Sequence, residues 1–130
     1  SLELLPAGAA AGTHFLSLAA TNRSATTCTV QGYPGVSLVD AAGKQLGAAA
    51  GRNPAIDAVP VPLAPGQAAH TLVGFPNYQN FEGGVCAGPS ASLLVYPPGE
   101  TRSATLALVD YACPGFAVRA FEPGRNEPGR

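Results

Sequence analysis

Apolar and polar side chains alternate along most of this chain, in short runs cut by glycine and proline. In residues 13–21, "THFLSLAAT", Phe15, Ser17 and Ala19 alternate with His14, Leu16, Leu18 and Ala20, the two-residue period of a strand. The same period returns in 27–32, with Cys28 and Val30 on one face, and in 36–40, with Val36 and Leu38 inward. Between them Tyr33-Pro34-Gly35 predicts a corner, Pro34 setting φ and Gly35 supplying a positive one. Residues 40–47 read as a hairpin connection with Gly43 at the unusual backbone position, and 48–58 as loop. "VPVPL" (59–63) alternates but carries Pro60 and Pro62, which predicts an edge strand with the prolines outward.

Residues 68–75 form a further strand, 76–91 a long loop, and 92–97 with 101–111 a hairpin over Pro98-Gly99-Glu100. Residues 116–121 make the last strand. At the other end, residues 1–12 hold a short apolar element, one helical turn at most, and then a small-residue linker. No segment keeps a helical period over three turns. The expectation is an all-β, antiparallel, immunoglobulin-like sandwich of about seven or eight short strands. It forms one domain over residues 1–121, and 122–130 is a polar, frayed tail.

Composition narrows the function classes. Hydrophobic residues are 46% of the chain, yet aromatics are 7% and there is no Trp or Met, so Leu, Val, Phe and Tyr build the core around alanine filler. Lys44 is the single lysine and the formal net charge is −1, so no basic stripe offers a footprint for nucleic acid. No apolar run approaches the ~20 residues of a membrane-spanning helix. The first residues lack the charged and apolar regions of an export signal, which is expected to be removed or to lie upstream.

The chemistry-bearing residues are few. There is no Gly-x-Ser-x-Gly elbow and no Ser-x-x-Lys. The carboxylates Asp40, Asp57, Glu82, Glu100, Asp110, Glu122 and Glu127 fall mostly in turns or at strand ends. His14 and His70 are the only imidazoles; with three cysteines they lack metal-site spacing, and both read as ordinary strand histidines. The chain is therefore expected to be no enzyme and to hold no metal and no cofactor. A metal-binding or enzymatic protein using His14, His70 and a cysteine is the alternative from another class, and a structural spacer is a third. Asn22-Arg23-Ser24 matches the glycosylation acceptor pattern but reads as a turn.

Three cysteines in a turn-rich β domain point to an oxidising compartment. A hairpin running out and back over 92–111 brings its flanks together, which favours a Cys86–Cys113 disulfide. For Cys28 three readings stand: a partner upstream of Ser1 or a buried free thiol, a pairing with Cys86 or Cys113 across the sheets, or a reactive thiol. Binding capacity concentrates on loop 76–90, where Asn77, Tyr78, Gln79, Asn80 and Phe81 combine flat apolar faces with amides. Tyr96 joins them as an exposed aromatic tip. The bland reading is that Tyr78 and Phe81 fold back to cap the sandwich.

The run Asn22-Arg23-Ser24, then Cys28 through Leu38 with its Gly32-Tyr33-Pro34-Gly35, then Asp40-Ala41-Ala42-Gly43, Leu63-Ala64-Pro65-Gly66-Gln67 and Leu94-Val95-Tyr96-Pro97-Pro98-Gly99, resembles a family of actinobacterial exported proteins and lipoproteins, domain of unknown function 4232. The resemblance covers about residues 3–121. It implies an extracytoplasmic β-sandwich, secreted or lipid-anchored at the cell envelope, with a possible lipid anchor upstream. Members typically carry a cysteine before the position of Leu2, which would explain an orphan Cys28. No catalytic residue carries over. The expected role is a non-catalytic module binding an unknown protein, peptide or glycan of the envelope.

Overall fold

A computed structural model describes residues 1–98 and 102–125. Its strands are β1 (Leu2–Ala10), β2 (Thr13–Thr21), β3 (Cys28–Val30), β4 (Gly35–Val39), β5 (Gln45–Leu46), β6 (Gly51–Arg52), β7 (Val61–Leu63), β8 (Ala68–Pro76), β9 (Ser92–Tyr96), β10 (Ala104–Ala107), β11 (Ala117–Val118) and β12 (Glu122–Pro123). A 3₁₀ turn, Tyr78–Asn80, interrupts the loop after β8. One sheet runs β1-β2-β8-β11-β6, with β12 also on β8; a second runs β10-β9-β4-β5; β3 and β7 form a separate ribbon. The all-β sandwich expected from the alternation is what forms.

The pairing of β2 with β8 is the longest register in the fold, continuous from Thr13 opposite Pro76 to Thr21 opposite Ala68. The period of two puts Leu16, Leu18, Val73 and Phe75 on one face of this pair. They meet Val36, Leu38, Leu93 and Val95 of the second sheet, with Phe116 and Val118 completing the main core. A smaller cluster of Val61, Leu63, Ala69 and Phe121 seats the ribbon at the other end of β8, and Val30 packs against it. Val36 and Leu38 thus fill the main core, while Val30 belongs to the satellite. Among the described residues no buried side-chain nitrogen or oxygen lacks a hydrogen-bond partner.

Several local expectations are corrected. The N-terminal segment is a nine-residue strand rather than a helical turn and linker. Leu2 and Leu4 pack on the core, and pairing to β2 overrides the weak strand preference of Pro6-Ala7-Gly8-Ala9. The register slips between Pro6 and Ala9, and Gly8 takes φ +92° within that slip. Pro6 is tolerated because β1 is the sheet edge. The corner glycine with positive φ is Gly32 (+99°), not Gly35, which opens β4 in extended form. Loop 48–58 contains β6, and β6 pairs with β11 in parallel, so the sheets are not wholly antiparallel. Short two-residue strands raise the number of strands above seven or eight.

Other expectations hold. Gly43 has φ +83° in a turn where Asp40 Oδ1 accepts from the Ala42 and Lys44 N–H groups at 2.9 Å. Val61 and Leu63 are buried while Pro60 and Pro62 are exposed. The Pro-Gly-Glu turn falls partly on residues outside the described ones, as do residues 126–130. The start of the expected frayed tail is ordered: β12 pairs with β8, and the strap after it crosses the outer face of the first sheet. There Ser17 Oγ donates to the Arg125 carbonyl at 2.8 Å, His70 Nδ1 donates to the Gly124 carbonyl at 2.9 Å, and Arg125 pairs with Glu3.

Leu38 is fully buried between the sheets. Leu38→Ala is expected to lower unfolding free energy by about 2–5 kcal/mol in a urea titration, because deleting a core side chain loses its transfer free energy and leaves a cavity.

Candidate functional site

The loops that follow β8 and precede β9 meet the segment after β10 at one end of the sandwich. Cys86 and Cys113 are joined there, 27 residues apart in sequence. Closing a loop of that length restricts the unfolded chain by roughly 3–4 kcal/mol in the chain-entropy account. Next to the disulfide, Ala87 and Ala112 exchange backbone hydrogen bonds of 3.1 and 2.8 Å. Gly88 then passes so close to the opposite segment that a Cβ would sit 2.8 Å from both the Asp110 carbonyl and the Tyr111 ring. Only a glycine lets that ring lie there.

On this frame Tyr78 stacks on Tyr111, ring centroids 4.1 Å apart and planes 24° from parallel. Tyr78 remains 45% exposed and Val85 beside it 55% exposed. Tyr78, Phe81, Gly84, Val85, Cys86 and Tyr111 line a cleft of about 130 Å³. Across the disulfide a second groove of about 260 Å³ runs from Gly47–Ala49 to Pro114–Phe116, and Val85 borders both.

The amides of loop 76–90 serve the fold as much as the surface. Asn77 Oδ1 accepts from the Gln79 N–H at 3.0 Å and caps the 3₁₀ turn. The Asn77 N–H and Asn80 Nδ2 both donate to the Gly12 carbonyl, at 2.8 and 3.2 Å. These bonds tie the loop to the β1–β2 turn, where Ala11 (φ +49°) and Gly12 (φ +83°) reverse the chain. Tyr78 therefore neither caps the sandwich by burial nor hangs free: it lies on a second ring. Gln79 is exposed and Phe81 half-buried.

A polar pair adjoins the aromatic stack. His14 Nε2 donates to Asp110 Oδ2 at 2.6 Å, and Asp110 Oδ1 accepts from the Tyr111 N–H at 2.8 Å. One carboxylate thus holds both the imidazole and the backbone of the lower tyrosine. Asp110 is itself held by Ser90, whose hydroxyl accepts from the Asp110 N–H at 3.0 Å and donates to the Leu108 carbonyl at 2.7 Å. The His14 ring stacks on Phe75 at 5.3 Å, and Phe75 on Phe116 at 5.1 Å. The imidazole side chain is 44% exposed and the carboxylate 11%.

Sequence reading singled out Asn77, Tyr78, Gln79, Asn80 and Phe81, five consecutive residues of the loop after β8. It missed Tyr111, Asp110, His14 and Val85 as members of the same end. His14 and Asp110 are 96 residues apart, and no local pattern links them. Tyr96 is not part of this end. It pairs with Gly35 at the far end of β9, about 13 Å along the strand from Ser92 at 3.3 Å per residue. Arg52 lies 5.1 Å over the Tyr33 ring at that opposite end.

His14 and His70 are not brought together. His14 is opposite Phe75 on the core face of β8, whereas His70 is opposite Ala19 on the outer face and bonds to the strap. Cys28 is an exposed free thiol on the ribbon. It is therefore neither buried nor paired with Cys86 or Cys113. Among the described residues no group of three or more His, Cys, Asp or Glu is placed to hold a metal. Asn22 is 6% exposed; its Nδ2 donates to the Thr26 and Leu63 carbonyls at 2.9 and 2.8 Å, so the amide that a glycan would need staples the fold instead. Among the described residues no helix is long and apolar enough to cross a membrane.

The family model described as a domain of unknown function, DUF4232, matches residues 1–122. No curated protein and no solved structure matches the chain.

A maleimide reagent is expected to label one thiol per native, unreduced chain, at Cys28, and three after denaturation with reductant. Peptide mapping by mass spectrometry checks both numbers; protection of Cys28 in the native state would contradict its placement.

Proposed function

We propose a binding role for this chain, which belongs to the DUF4232 family: it is a non-catalytic module outside the cytoplasm that holds a protein, peptide or glycan of the bacterial cell envelope. The contact surface is the disulfide-pinned end of the sandwich. The observation that carries the reading is the Tyr78–Tyr111 stack, an exposed aromatic face held rigid by a neighbouring ring. Large, flat, pre-positioned side chains of this kind dominate binding surfaces because little side-chain freedom is lost on contact.

Three features agree with it. The disulfide suits an oxidising compartment, where such bonds persist. A secreted or lipid-anchored module needs no spanning segment of its own. Lys44 as sole lysine and a net charge of −1 leave no field for a polyanion such as nucleic acid. The alternative enzyme or metal carrier built on His14, His70 and a cysteine loses support, since the two imidazoles occupy opposite faces of β8 and Cys28 lies on the separate ribbon.

The test is capture of envelope material by the immobilised protein. Tyr78→Ala is expected to weaken capture by about 10- to 30-fold, the effect of removing a central aromatic anchor. Tyr96→Ala, at the opposite end, is expected to leave capture unchanged. Equal effects of the two substitutions, or none from Tyr78→Ala, would remove the assigned surface.

A further inference from the structure

We infer that the chain self-associates through β10, whose open edge pairs antiparallel with β10 of a second copy and joins the two four-stranded sheets into one. The inference stands apart from the binding role proposed above. β10 is the last strand of its sheet, paired with β9 on one side and, among the described residues, with nothing on the other. The chain keeps that course for one residue more, since the Leu108 N–H donates to the Ala91 carbonyl at 3.2 Å. Ala104, Thr105 and Ala107 are exposed and Leu106 is half-buried, so the described chain leaves this edge bare.

Edge strands offer unpaired N–H and C=O groups to any extended chain, and folds guard them with proline, charge, irregular register or extreme shortness. β1 carries Glu3, Pro6 and a register slip. β5 and β6 are two residues each, and the ribbon strands β3 and β7 three each, with Pro62 inside β7. β10 has none of these guards: residues 103–109 read SATLALV, without proline or charge. Its apolar row is also unfinished. Leu106 and Leu108 pack on the main core yet stay only partly buried, because no further strand stands beside them.

The strand is complementary to itself. Side chains directly opposite in an antiparallel pair share a face, so a two-fold axis at Leu106 sets that leucine against its own copy, Leu108 against Ala104 and Thr105 against Ala107. Apolar meets apolar on the core side, and neutral meets neutral outside. Arg102 and Asp110 lie equally far from Leu106, so each Arg102 approaches the Asp110 of the other copy. A parallel pairing would instead oppose arginine to arginine. Asp110 retains its bond to His14, so this attraction orients the pair without a new bridge. The antiparallel arrangement points the two Tyr78–Tyr111 ends in opposite directions, which keeps association distinct from capture.

The experiment is sedimentation equilibrium of the full chain carrying Cys28→Ser, so that no intermolecular disulfide imitates pairing. The 13.0 kDa monomer is expected to give way to a dimer, half-formed between about 10 μM and 1 mM, since one strand pair buries well under the ~1,200 Å² of a stable interface. Thr105→Lys with Ala107→Lys sets like charges opposite each other across the pair and is expected to weaken association about tenfold; Thr105→Asp with Ala107→Asp does the same. Mixing the two variants is expected to restore the dimer, and melting curves report their folding. Where a variant does not fold, hydrogen exchange decides: amides of residues 104–108 in the Cys28→Ser chain are expected to gain protection as concentration rises. Four results overturn the inference: a chain still monomeric at 1 mM, a dimer indifferent to both pairs of substitutions, assemblies beyond the dimer that a two-fold edge closes, or amides protected only when envelope material is added, which assigns the edge to an unlike partner.

Discussion

The nine-position pairing of β2 with β8 is the constraint on which the rest of the molecule depends. β8 contributes Val73 and Phe75 to the main core and Ala69 to the satellite, so both apolar clusters are assembled against one strand. Its second edge is divided between β11 and β12, which brings the C-terminal strap over the outer face. Its last residue, Pro76, starts the loop that carries Tyr78. A slip of one residue in this register would exchange the faces of every side chain on β2, moving Leu16 and Leu18 out of the core and His14 away from Asp110.

From that strand an aromatic column runs across the end of the sandwich: His14 on Phe75, Phe75 on Phe116. The column, the Cys86–Cys113 bond and the Ala87–Ala112 bridge hold the same end from three directions. The loop after β8 is accordingly ordered by its own amides and by Gly12, not by burial of its rings. A surface set in this way keeps little side-chain freedom left to lose. This end sets the amides of loop 76–90 and the His14–Asp110 pair beside a stacked pair of tyrosines.

How much was legible differs between strand and site. Alternation revealed β2, β4, β8 and β9 because their buried faces demand a period of two whatever the partner. β1 stayed hidden because "PAGAA" has almost no strand preference and takes its conformation from pairing with β2. β6 and β12 stayed hidden for the same reason: two residues carry no period. Of the site, Asn77–Phe81 stood out as a run of amides and aromatics. Tyr111 and Asp110 read as the end of a strand and a solvated carboxylate, since neither stacking across 33 positions nor a His–Asp bond across 96 leaves a local trace.

By itself, then, the sequence determined the class of fold, the inward residues of the longer strands, the Cys86–Cys113 pairing and the low net charge, all of which follow from local periodicity, loop geometry and composition. Only the tertiary structure decided that Cys28 is exposed and not bonded to Cys86 or Cys113, that Tyr96 stands apart from Tyr78, and that His14 and the Tyr111 backbone share the Asp110 carboxylate. The physical reason is range: side-chain period and turn chemistry act over a few residues, while the site is made by segments that meet only after the sheets have closed on their core.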